Sequence, residues 1–134
     1  MKRALASIVA FLALTSTAFA GGNYKMDLNA PASAKKGEKA TAKLHVEGTG
    51  QFHVNTDYPA KLIIEAPSGV TLDKAKQINR DAVKFEKTGA LFAIGFTPSE
   101  TGKKSFKGEF KFAVCTDNNC EPTTEKIAFD VEVK

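Results

Sequence analysis

Over residues 106–114 and 126–133 apolar and polar positions alternate with a period of two. Phe106, Phe110, Phe112 and Val114 fall on one face, with Lys107, Glu109 and Lys111 on the other. Ile127, Phe129, Val131 and Val133 repeat the pattern against Lys126, Asp130 and Glu132. Successive side chains of a strand point to opposite faces, so such runs predict half-buried strands resting on a core. Between them stands Thr116–Asp117–Asn118–Asn119, polar and rich in residues that tolerate tight turns. The pattern predicts a terminal hairpin.

The same alternation recurs upstream. Tyr24, Met26 and Leu28 alternate with Lys25 and Asp27 in a first strand over 23–29. Ala40, Ala42, Leu44 and Val46 are expected inward over 38–47, with Thr41, Lys43 and His45 outward. Gly48–Thr49–Gly50 turns the chain into a short strand over 51–55, which Thr56–Asp57–Tyr58–Pro59 ends. Lys61–Ala66 reads as a strand closed by Pro67–Ser68–Gly69, and 82–86 with 91–96 as a hairpin through Lys87–Thr88–Gly89. Val70–Arg80 fits neither period and receives no regular element. About eight short strands and no helix predict an all-β, immunoglobulin-like β-sandwich of antiparallel strands. With no Trp, and with two cysteines too close in sequence to join opposite sheets, it is not an antibody-type domain.

The first twenty residues follow a different logic. Lys2 and Arg3 precede an uncharged apolar run, Ala4–Leu14, and Ala18–Phe19–Ala20 has the small-x-small form of a cleavage site. This predicts a signal peptide over 1–20, cut after Ala20, and a single domain over 21–134. The apolar run is short for a membrane span, and no later stretch approaches that length. The expected location is therefore periplasmic or secreted. Loss of the leader removes Lys2 and Arg3 and no acid from 19 basic and 15 acidic residues. So slight an excess of positive charge, evenly spread, does not point to nucleic acid.

Export changes the reading of Cys115 and Cys120, which flank the predicted turn. Opposed residues of antiparallel strands lie about 4.5–5.5 Å apart at Cα, within disulfide range, and in an oxidising compartment two such thiols are expected to pair. Two roles stay open. A static staple of this ring size contributes roughly 2 kcal/mol at best and stiffens its own loop, as suits a binding or assembly domain. A disulfide at an exposed tip is also open to an attacking thiolate. With Asp117 and Glu121 close by and no Lys, Arg or His between the cysteines, the pair is better suited to be attacked than to attack.

The run Cys115–Thr116–Asp117–Asn118–Asn119–Cys120–Glu121–Pro122, set between two alternating strands, resembles the N-terminal periplasmic domain of DsbD-type thiol:disulfide interchange proteins. Phe52–His53–Val54–Asn55, Tyr58–Pro59, Leu62–Ile63–Ile64, Pro67 and Gly69–Val70 look like that family's early strands. The likeness covers most of residues 21–134, but only the cysteine hairpin is a specific motif. It implies an immunoglobulin-like sandwich whose redox pair, Cys115 and Cys120, passes electrons with a thioredoxin-like protein or a membrane thiol–disulfide reductase. It further implies that the second cysteine, Cys120, forms the mixed disulfide. The resemblance calls for no cofactor.

Other chemistry is thin. His45 and His53, with the cysteines, are residue types that suit zinc or copper, but their spacing fits no established ligand pattern. The expectation is an ordinary surface or loop-anchoring role for each, and no metal. Hydrolase, phosphate-loop and dinucleotide signatures are absent from the sequence. The ten Phe residues fall mostly at inward positions and are expected to form core.

Overall fold

The computed structural model describes residues 14–134, with side chains from Gly22 onward. In chain order its strands are β1 (Leu14–Gly21), β2 (Tyr24–Pro31), β3 (Ser33–Ala34), β4 (Ala40–Gly48), β5 (His53–Val54) and β6 (Lys61–Glu65). Then come β7 (Val70–Leu72), β8 (Lys76–Ile78), β9 (Lys84–Glu86), β10 (Gly89–Pro98), β11 (Gly102–Cys115) and β12 (Cys120–Val133). One sheet runs β1-β2-β4-β10-β7 with β9 also on β10; the other runs β3-β12-β11-β6-β8 with β5 also on β11. The orders β2-β4-β10-β7 and β12-β11-β6 are the two sheets of an immunoglobulin-like sandwich. Pairings are antiparallel except β3 with β12, which is parallel.

The alternating runs face each other across the core. Met26, Leu28, Ala42, Leu44, Val46, Phe92, Ile94 and Phe96 of the first sheet are buried against Leu62, Ile64, Phe106, Phe110, Phe112, Ile127 and Val131 of the second. Phenylalanine rings bridge the sheets, with centroids 4.9 Å apart for Phe96–Phe106 and 5.3 Å for Phe92–Phe110. Phe106 also stacks on Phe129 at 4.5 Å, within its own sheet. Each such ring adds roughly 1.5–3 kcal/mol by leaving water. This aromatic layer, with the aliphatic side chains around it, forms the core on which the terminal hairpin rests.

Among the described residues twelve strands stand where about eight were expected. The surplus lies mainly in pieces of two or three residues, too short to display a period. Residues 70–80, left without an element, hold β7, β8 and the start of a single 3-10 turn, Asn79–Asp81. Their pairing with β10 and β6 is set by tertiary contact and not by local pattern. Lys104 also breaks the alternation: it sits on the inward register but is satisfied, its Nζ donating to the Ser68 carbonyl at 3.1 Å and to Glu100 at 3.3 Å.

The expected leader falls partly on residues 1–13, outside the described residues, and partly on β1. That strand lies antiparallel along β2 from Leu14 opposite Pro31 to Gly21 opposite Tyr24. Because β1 is an edge strand, a cut after Ala20 would expose the edge of β2 and leave the remaining pairings of both sheets in place.

Candidate functional site: the cysteine clasp

β11 and β12 pair without interruption from Gly102 opposite Val133 to Cys115 opposite Cys120. Thr116–Asn119 closes the tip. The Thr116 N–H donates to the Asn119 carbonyl at 2.7 Å, and the Thr116 hydroxyl accepts the N–H groups of Asn118 and Asn119 at 3.3 and 3.1 Å. This small network holds the turn that the Asp/Asn-rich segment predicted. Cys115 and Cys120 are disulfide-bonded, with Cα atoms 4.1 Å apart.

The two sulfurs occupy different surroundings. β11 is central, flanked at this end by β12 on one side and β5 on the other, with Cys115 opposite His53. Cys115 is only 4% exposed. Among the described residues β12 is bordered on its far side by β3 alone, and only at Glu132 and Val133, so its edge is open there near Cys120. Cys120 is exposed. Pro122, which lacks an N–H, is compatible with this free edge.

The segment 48–60 frames the other flank. Gly50, at φ 61°, takes the left-handed conformation that lets the chain turn back, and the Phe52 N–H donates to the Thr49 carbonyl at 3.0 Å. His53 then pairs with Cys115 and Val54 enters the core. The Asn55 N–H donates to the Ala113 carbonyl at 2.9 Å, and its side-chain Nδ2 lies 3.8 Å from Cys120 Sγ. Beyond it, Asn79 ties the loop down: its Oδ1 accepts the Ala60 N–H at 2.7 Å while Nδ2 donates to the Tyr58 carbonyl at 2.8 Å.

Charge near the clasp is partly engaged elsewhere. Glu121 accepts a hydrogen bond from Asn23 Nδ2, and Glu125 one from the Tyr24 hydroxyl. Both contacts fasten the clasp end of β12 to the opposite sheet, one at the start of β2 and one at the turn just before it.

His53 and Asn55 were not assigned to the site from sequence. The Asn-x-Asp spacing at 55–57 signals a turn, but its nearness to Cys120 arises from pairing between segments some sixty residues apart. His45 lies on β4 of the other sheet, paired with Asp27 and Leu91. Among the described residues no three His, Cys, Asp or Glu side chains converge as a metal-ligand set. A shallow groove of about 400 Å³ lies where the same hairpin meets β6, lined by Ile63, Glu65, Lys107, Gly108, Glu109 and Lys126, away from the cysteine end.

No family model matches the chain, and no curated protein does. Among solved structures it is similar to the GAE domain of GGA2p from Saccharomyces cerevisiae, with 11% identity and a TM-score of 0.48, over 87% of this chain and 97% of that one. It is also similar to AggA, the major subunit of aggregative adherence fimbriae type I from Escherichia coli, with 7% identity and a TM-score of 0.43, over 91% and 96%. Neither is described as a thiol–disulfide exchange protein, and at these scores neither carries a functional argument.

Proposed function

We propose that this chain is an exported thiol–disulfide exchange module, periplasmic or secreted after cleavage of residues 1–20. Its partner is a thioredoxin-like protein or a membrane thiol–disulfide reductase. The observation that carries the reading is the asymmetry of the disulfide: Cys120 is exposed on an open edge strand, whereas Cys115 is buried on a central one. An incoming thiolate therefore reaches Cys120 Sγ first. A new S–S bond forms between the partner and Cys120, the Cys115–Cys120 bond breaks, and its electron pair leaves on Cys115, which takes a proton from solvent. The partner's second thiolate then attacks its own sulfur in the mixed disulfide and releases Cys120. Two electrons have passed from the partner to this chain, and the reverse sequence returns them.

With no cation between the cysteines, the disulfide depends on a partner that brings its own low-pKa thiol and docks in register. The tip, Thr116–Asn119, and Glu121–Pro122 form the docking surface in this reading. The test is a trap. Cys115→Ala and Cys120→Ser variants are incubated with a thioredoxin-like protein lacking its resolving cysteine, the remaining thiol having been activated as a mixed disulfide with a small aromatic thiol. A stable adduct through Cys120, and little through Cys115, is the expected result. No adduct through either leaves the disulfide as a staple in a binding or assembly domain.

A further inference from the structure

We infer that Asn55 is a positioning residue for exchange, holding an amide donor against Cys120 so that the thiolate on this sulfur is stabilised. The inference rests on the exchange reading and adds a residue to it. Its ground is the orientation of one side chain. Asn55 Oδ1 accepts the N–H of Asp57 at 2.9 Å, closing a turn of the Asn side chain onto its own backbone. That bond fixes which end of the amide is which. The donor end, Nδ2, is left facing Cys120 Sγ at 3.8 Å. The Asn55 backbone is held in turn by its bond to the Ala113 carbonyl on β11, the strand that carries Cys115.

Sulfur in a disulfide is a weak acceptor; a thiolate is a strong one, so this contact gains strength when Cys120 becomes anionic. The anion appears at Cys120 in both directions of exchange. When the reduced pair gives electrons, the Cys120 thiolate attacks a partner disulfide, an S–S bond forms to Cys120, and the partner's other sulfur leaves as thiolate. Cys115, having lost its proton to solvent, then attacks Cys120 Sγ, restoring the intramolecular disulfide and releasing the partner's reduced cysteine. When electrons arrive, Cys120 is the thiolate released in the second step. A donor at Cys120 serves the attacking group in one direction and the leaving group in the other.

The other groups about the clasp do not duplicate this role. Asp57 follows on the same loop, Asp117 lies in the tip and Glu121 is next to Cys120, all carboxylates that oppose an anion. Glu121 is engaged by Asn23. His53 stands opposite Cys115 in the strand register, and not opposite Cys120.

The experiment isolates Cys120 in the Cys115→Ala chain and titrates its thiolate by ultraviolet absorbance, with Asn55 intact, Asn55→Ala or Asn55→Asp. Asn55→Asp keeps the oxygen that accepts the Asp57 N–H and removes the donor, so the turn survives. Asn55→Ala is expected to raise the Cys120 pKa by about one unit, the scale of a hydrogen bond to an anion, and Asn55→Asp by more. In the two-cysteine chain, Asn55→Ala should slow attack on a partner disulfide about threefold, because the lost thiolate fraction is partly offset by greater nucleophilicity. Unchanged pKa values in both variants, with exchange by the native chain intact, overturn the role of Asn55 alone. A pKa shift with no exchange by the native chain overturns the exchange reading and, with it, this role.

Discussion

Removing the clasp should cost the domain less than removing one ring from beneath it. The perturbation is the pair Cys115→Ala and Cys120→Ser, the first chosen because its site is buried and a hydroxyl there would lack a partner. The disulfide spans a sequence separation of 5. For a ring that small, the chain-entropy account gives a loss of roughly 2 kcal/mol. The hairpin remains in register from Gly102 opposite Val133 upward, and the Phe layer is untouched. Against it stands Phe106→Ala. Phe106 is 1% exposed and contacts Phe96 of the facing sheet and Phe129 of its own strand partner. Truncation there should cost about 3–5 kcal/mol, the range for a large ring lost from a packed core. Urea unfolding followed by far-ultraviolet circular dichroism measures both. The clasp variant should unfold cooperatively with the slope of the native chain and a midpoint above that of Phe106→Ala. If the clasp variant has no cooperative transition, or loses more stability than Phe106→Ala, the core does not carry the fold in the way argued here.

Other consequences are more local. Asn79→Ala removes one of the two acceptors of the Ala60 N–H and the donor that holds the other, the Tyr58 carbonyl, so hydrogen exchange at Ala60 should accelerate up to about tenfold while the Phe-layer amides keep their protection. The Asp81 carboxylate is held below its ordinary pKa of 3.8, first by its hydrogen bond from Lys74, then by the Ile78 N–H. A depressed carboxylate contributes stability above its unfolded pKa and loses it as pH falls through the folded value, so the contribution is fully present above about pH 4 and is lost only in more acid solution. Lys74→Ala should move the Asp81 titration, followed by carboxyl NMR, back upward, and an unmoved titration would refute the pairing.

How far the sequence foretold this depends on the length of each segment. The terminal hairpin was legible because fourteen-residue strands repeat the two-residue period several times and the Asp/Asn turn marks their junction. The cysteine pairing followed from that register. β7 and β8 were not legible, since three residues such as Lys76–Gln77–Ile78 cannot show a period and exist as strand only because β6 lies alongside. Asn55 escaped for a related reason. Its Asn-x-Asp turn is local, but its partner Cys120 is brought to it by the β5–β11 pairing, a contact that loop composition does not encode. The asymmetry between the sulfurs likewise depends on which strand is central and which is at the edge, a property of the whole sheet.

The most direct test of the exchange reading is the reduction potential of the Cys115–Cys120 pair, measured by equilibration with a dithiol buffer of known potential. Exchange-competent disulfides lie above the range of structural ones in exported proteins, which is below about −300 mV. The account predicts a value above about −300 mV for the native chain, with electrons passing reversibly to a thioredoxin-like protein. A value below about −300 mV, with no transfer to that protein, would contradict it.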